Sequence, residues 1–202
     1  MGVSIYGYAE VQSDGRWAFA GRMVPNPDAG FDPDEPEAMP EELFSSDHRE
    51  LAAILTDIGN PIRSVYPYTP VVAPRGLPPD LSSELRAWLQ RREEQGETWE
   101  GSTWFTAREA AEFGWDDRIQ RRRAYVTPQA APLFAGCPRG FPLASWPAGV
   151  PVQYSGWSSS GVAVEWRESY AEIVPEFARD VLPRLGGFGP PDHVRLVVVA
   201  SW

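Results

Sequence analysis

The chain has 202 residues, 43% hydrophobic and 23% charged, and its nine Trp, seven Tyr and nine Phe exclude a disordered polypeptide. Twenty-eight acids against 18 bases give a net charge of −10, which disfavours direct binding to nucleic acid or anionic membrane because phosphate neutralisation needs clustered positive charge. The one cysteine, Cys137, excludes an internal disulfide and a cysteine-based zinc cluster; with no run of about 18 apolar residues and no basic-then-apolar leader, a cytoplasmic protein is expected.

Ser4 to Val11 alternates Ile5, Gly7, Ala9 and Val11 with Tyr6, Tyr8 and Glu10, and Asp14-Gly15 then precedes Trp17-Ala18-Phe19, the pattern of a β-hairpin. Residues 23–46 hold five prolines and seven acids with few apolar anchors, so they read as a solvated, Pro-rich loop insertion. Outside it, 18 arginines face 21 acids, and the body of the chain is close to neutral; no lysine is present. Asp47-His48-Arg49-Glu50 has the form of a capping box, and Leu51, Ile54, Leu55 and Ile58 follow at helical spacing before Gly59-Asn60-Pro61. After a Pro-rich connection, Leu81, Leu85, Trp88 and Leu89 predict a second helix that stops near Gly96. Thr106-Ala107-Arg108-Glu109 is a further capping box, opening a short helix that ends at Phe113-Gly114.

Arg118 to Val126, Val152 to Tyr154 and Val162 to Trp166 read as strands, with Ser158-Ser159-Ser160-Gly161 as the turn between the last two. Tyr170, Ile173, Val174, Phe177, Val181 and Leu185 make a helical stripe in which Pro175 predicts a kink, and Gly186-Gly187 ends it. Val194 to Ala200 is nearly continuous in apolar residues, as a strand covered on both faces requires. The expected fold is a single α+β domain over residues 1–202. Its mixed or antiparallel sheet contains the N- and C-terminal strands, packed by three to four helices.

Phosphate-binding loops, dinucleotide fingerprints, nucleophile elbows and zinc-protease helices are all missing from the sequence. With His48 and His193 as the only histidines, neither a metal nor a cofactor is expected. Asp47 and His48 read as a cap with an exposed neighbour, and as acid–base candidates together with Glu100. Arg121 and Arg123 share a strand face with Tyr125 while Arg122 points away. That face suits an interaction surface for carboxylate or phosphate, or alternatively a charged edge that blocks aggregation.

Taken in order, several stretches resemble one family. Met1-Gly2 opens a strand with Ile5, Tyr8 and Glu10, and Leu51-Ala52-Ala53-Ile54-Leu55 ends near Asn60. Arg75-Gly76-Leu77-Pro78-Pro79-Asp80-Leu81-Ser82 and Thr103-Trp104-Phe105-Thr106 with Glu109 follow, then Trp166 with Tyr170, Phe177, Leu182-Pro183-Arg184-Leu185 and Val194-Arg195-Leu196-Val197. These are similar to the uncharacterised phage and bacterial proteins that begin Met-Gly-Cys-Asp-Ile-His, over nearly the whole chain except the acidic insertion and residues 127–160. The resemblance directs attention to a cleft lined by Ser4, Tyr6, Arg75, Glu100 and Ser102, and Ser4, Tyr6, Arg75, Ser102 and Trp104 are the candidate ligand or anion contacts. Where the family has Cys, Asp and His this chain has Val3, Ser4 and Tyr6, and where it has a His-Ser-His-Ser stretch this chain has Glu100-Gly101-Ser102-Thr103. Imidazole and thiolate donors are therefore lost at those positions. The function expected is a non-enzymatic, phage-related interaction protein, acting in interference or protection through a protein partner. The alternatives are a small hydrolase or transferase using Asp47, His48 or Glu100 with Arg75 as an anion clamp, and small-ligand binding in an aromatic pocket.

Overall fold

The computed structural model describes residues 2–31, 35–60, 65–155 and 161–201. Asp14 (φ 51°) and Gly15 (φ 75°) both take the left-handed backbone that a two-residue hairpin turn demands, and they join β1 (Ser4–Ser13) to β2 (Arg16–Phe19). The acidic segment is more ordered than its composition suggests. It contains β3 (Met23–Pro25) and β4 (Ala38–Pro40), paired as a small ribbon, and β5 (Phe44–Ser46), which adds to the edge of β1 at Ile5, Tyr6 and Gly7. Leu43 is buried, and Phe44 meets Phe177 edge-on with ring centroids 5.2 Å apart. The expectation of a solvated insertion is thus corrected: a few apolar anchors and ion pairs such as Arg22–Glu41 fold it back onto the body. The Asp32-Pro33-Asp34 stretch lies outside the described residues.

The first helix, α1 (Arg49–Thr56), is capped differently from expectation. His48 is the N-cap, its Nδ1 accepting the Leu51 N–H, while Asp47 sits one residue before the cap and accepts from the Ser4 hydroxyl at 2.8 Å. Asp57 in the left-handed region (φ 61°) ends it. Next come α2 (Ser83–Glu94), β6 (Thr103–Thr106) and α3 (Ala107–Glu112), the last with the predicted capping box complete in both directions. Then follow β7 (Ile119–Val126), the two-residue β8 (Tyr154–Ser155) and β9 (Val162–Ser169), which runs three residues beyond the expected Trp166. The expected serine turn at 158–160 lies outside the described residues.

The helical stripe does not kink but breaks. The single turn α4 (Tyr170–Ile173) ends at Val174 (φ −125°, ψ 61°), and Pro175 begins a second helical segment, where its missing N–H leaves no ladder bond unmade. That segment passes through a π-turn at Phe177–Val181 into α5 (Leu182–Gly186), before β10 (Val194–Ser201) closes the chain.

β10 is the centre of the main sheet. It pairs antiparallel with β1 through eight residue pairs, from Ser4–Ser201 to Val11–Val194, and with β6 on its other side, giving the order β2–β1–β10–β6 with β5 also on β1. Ile5, Ala9, Phe105, Leu196, Val198 and Ala200 face a core completed by α1, α3, α4 and α5. Tyr8, Val197 and Val199 face the opposite way, onto Leu85, Trp88 and Leu89 of α2. Covering on both faces is what the unbroken apolar run of β10 requires. A second, three-stranded sheet has the order β8–β7–β9, with its own cluster of Ala124, Val126, Phe134, Val164 and Trp166. The architecture is therefore α+β, as expected, with antiparallel pairing throughout the named strands. No helix among the described residues is long and apolar enough to cross a membrane.

Candidate functional site: an arginine face on the three-stranded sheet

Strand alternation sorts β7 into two faces. Gln120, Ala124 and Val126 are buried, and Arg122 turns to the same side, where its guanidinium reaches Glu50 of α1 at 3.1 Å and Glu168 at 3.5 Å and so ties the second sheet to the first. Arg121, Arg123 and Tyr125 take the other face. The β7–β9 register sets Arg121 directly opposite Arg167 and Arg123 opposite Glu165. On the far side of β9, Arg167 exchanges main-chain hydrogen bonds with Pro138 (2.9 Å) and Gly140 (2.7 Å), which brings Arg139 beside Arg167. Three arginines, Arg121, Arg167 and Arg139, thus lie in a row across the sheet, and Arg123 stands next to them.

Two carboxylates partly neutralise the row. Glu165 accepts from Arg121 Nε at 2.9 Å and from the Tyr66 hydroxyl; these contacts, Tyr66 first, hold its carboxyl below the ordinary glutamate range, and they raise the Tyr66 phenol and the Arg121 guanidinium in turn. Arg139 pairs with Glu172 at 3.2 Å. Among the described residues neither Arg123 nor Arg167 has a carboxylate partner. Arg123 lies 6.0 Å from the Tyr125 ring centroid, and Arg167 Nε donates to the Cys137 carbonyl at 3.2 Å. Beside this face opens a cavity of about 430 Å³ lined by Arg123, Phe134, Cys137, Val162, Val164 and Glu165.

The other sequence-selected residues fall elsewhere. Arg75, Ser102 and Trp104 come together at the start of β6. Arg75 N–H donates to the Thr103 hydroxyl, Gly76 N–H donates to the Ser102 carbonyl, and the Arg75 guanidinium lies 4.9 Å from the Trp104 ring while gripping Glu109 through both carboxylate oxygens. Ser4 and Tyr6 belong to β1, separated from β6 by β10; Tyr6 meets Trp99 edge-on at 6.2 Å. Ser4 hydrogen-bonds to Asp47, and His48 spends its Nδ1 on the helix cap, so no serine–histidine relay is formed. Glu100 is anchored by its N–H to the Ala200 carbonyl.

Sequence reasoning missed Arg167, Arg139 and Tyr66 as members of the arginine face. Extending the alternation of β9 past Trp166 would have found Arg167, whereas Tyr66 arrives from a distant connection and leaves no local signal.

A buried ion cluster on the main sheet also went unread. Glu10 and Arg195, opposite each other on β1 and β10, are 0% and 1% exposed and meet at 2.7 Å. Arg195 also binds Asp80 at 2.8 Å and lies 4.0 Å from the Trp17 ring and 5.4 Å from that of Trp104, while Glu10 accepts the Ser82 N–H at the start of α2. Its polar atoms are matched to one another, so it works as a clamp between the sheet and α2. An isolated charge in each of two strands already expected to pair is the signal that could have revealed it.

No protein-family model, no curated protein and no solved structure matches this chain.

Proposed function

We propose that this chain is a non-enzymatic interaction protein that docks an acidic surface of a protein partner on the Arg121–Arg167–Arg139 face. The observation that carries the reading is the direct opposition of Arg121 and Arg167 with Arg139 beside them, in a chain whose net charge is −10. Like charges opposite one another across strands are destabilising, so an arrangement that leaves Arg123 and Arg167 without carboxylates favours a partner that supplies them. Tyr66 and Tyr125 flank the row, and tyrosine with arginine is the composition typical of interface centres.

Edge protection explains less. Among the described residues β7 does keep an open edge along its arginines, since β8 pairs with Tyr125 and Val126 alone. However, the row continues away from that edge onto β9, the opposite edge strand, at the point where the 138–140 segment already covers that edge through main-chain hydrogen bonds to Arg167. The net charge of −10 disfavours a polyanion such as nucleic acid. The resemblance to phage proteins supports placing the partner in interference with, or protection from, another molecular machine.

Affinity capture with the wild-type protein and with an Arg123→Glu/Arg167→Glu variant tests this. Partners are expected to be lost from the variant and to weaken on the wild type as salt rises. Recovery of the same proteins by both, with the variant melting like the wild type, refutes the proposal.

A further inference from the structure

We infer that the cavity beside Arg123 is a binding pocket for a single carboxylate carried on a short apolar body. The inference rests on the docking reading for its setting, a face kept positive, and adds the chemistry of the group that enters it. Arg123 is opposite Glu165 in the β7–β9 register, the position where a cross-strand ion pair is expected. Glu165 is instead held by Arg121 and by the Tyr66 hydroxyl. Arg123 therefore stands on the cavity wall near enough for its charge to reach Glu165 but, among the described residues, in direct ion-pair contact with no carboxylate, and a carboxylate brought from outside completes it.

The remaining walls define what carries that carboxylate. Val162, 40% exposed, presents hydrocarbon, whereas Phe134 and Val164 are buried in the cluster of the second sheet; a volume of about 430 Å³ is at the small end of ligand pockets, suited to a body of one or two side chains. Glu165 on the same wall penalises a dianion such as phosphate more than a monoanion, because each added negative charge is repelled by its carboxylate. Two sources share this chemistry: the C-terminal residue of a partner chain when that residue is apolar, and a free aliphatic or aromatic acid.

Cys137 lines the same cavity and is the only cysteine of the chain, so its alkylation by a neutral maleimide reports occupancy. One arm of the experiment adds hexanoate or 3-phenylpropionate. The other adds short peptides ending in Phe or Val, with the terminus free or amidated. Calorimetry runs beside both arms. Slower alkylation and measurable heat are expected with at least one class of carboxylate, and the class that binds identifies the source. Hexanamide, amidated peptides and inorganic phosphate are expected to protect at least tenfold less well.

Arg123→Gln should weaken carboxylate binding ten- to hundredfold, the usual worth of a charge-assisted hydrogen bond, with a melting temperature within about 2 °C of wild type. Absence of both protection and heat up to about 50 mM of every carboxylate, or equal protection by the neutral isosteres, overturns the pocket. Partner capture is read separately through Arg167→Glu, which leaves Arg123 in place. Loss of capture in that variant with carboxylate protection intact supports both readings. A failed pocket with capture still sensitive to Arg167 leaves the docking reading standing alone.

Discussion

Replacing Arg195 with Met should be among the most damaging single changes available to this protein. The guanidinium is 1% exposed and donates to Glu10 Oε2 from Nε (2.8 Å), to Asp80 Oδ1 from Nη1 (2.8 Å) and to the Asp80 carbonyl from Nη2 (3.2 Å), with Nη2 also 2.7 Å from Glu10 Oε2 in the ion pair. Removing it leaves the Glu10 carboxylate, 0% exposed, with the Ser82 N–H as its one remaining hydrogen-bond donor among the described residues. Breaking a buried pair by deleting one partner costs about 3–5 kcal/mol, because the other charge stays desolvated. For a chain of this size that corresponds to a fall in melting temperature of about 6–20 °C.

The double variant Glu10→Leu/Arg195→Met removes both charges at once. It should recover most of the loss, short of about 1 kcal/mol for the Ser82 N–H left unpaired, so the coupling energy should exceed about 2 kcal/mol. Urea unfolding followed by tryptophan fluorescence measures all four corners of the cycle, with unchanged m-values as the check on two-state behaviour. A loss below about 1 kcal/mol for Arg195→Met, or a double variant no better than the sum of the singles, would refute the reasoning.

Gly7→Ala should destabilise the main sheet by about 1–3 kcal/mol, since a Cβ there would stand 2.0 Å from Cε1 of the Phe44 ring, itself packed on Phe177; a change under about 0.5 kcal/mol in urea unfolding would mean that β5 moves aside freely. Stability should also fall in acid. Glu165, Glu109, Glu172 and Asp192 all titrate below their ordinary values: Glu165 through Tyr66 and Arg121, Glu109 because Arg75 and the Thr106 N–H outweigh its burial, Glu172 through the Ser169 N–H, and Asp192 through Arg108. Glu41 is lowered as well, by Arg22, whereas burial raises Glu42; with five carboxylates lowered against one raised, the native state binds fewer protons than the unfolded chain. The contribution is complete above the ordinary carboxylate range, near pH 4, and is lost as pH falls through the depressed folded values. Melting temperatures recorded from about pH 6 down to about pH 3 should decline across that window, and a flat or rising profile would contradict the assignment.

Much of the fold was legible because its signals are local. The Asp14-Gly15 turn, the Thr106 capping box and the 3.6-residue period of α1 and α2 each depend on residues within one or two turns of one another. Where reading failed, a local rule met a long-range competitor. The Asp47 box lost its cap because Ser4, 43 residues away in sequence, takes the Asp47 carboxylate and His48 supplies the helix N-terminus instead. Residues 23–46 looked solvated on composition, yet β1 offers an open edge that β5 fills and the core has a place for Phe44 against Phe177. The Pro175 kink became a break because Val174 leaves the helical region and the stripe restarts beyond it.

The candidate site divides along the same line. That Arg121, Arg123 and Tyr125 share a face follows from the two-residue period of any strand, and the sequence alone settled it. Which face that would be, and what would stand beside it, depended on register. A slip of one residue between β7 and β9 would carry the arginines to the other side and separate Arg121 from Arg167. The row also needs Arg139 from the 138–140 segment and Tyr66 from the connection after α1, positions brought together only by packing. Composition and element types were thus determined by the sequence itself, because hydrophobic period and capping act over a few residues. The buried Glu10–Arg195 clamp, the release of Arg123 from a direct ion pair with Glu165 and the cavity at its side were decided by the tertiary structure, because each depends on which distant side chain is left facing which.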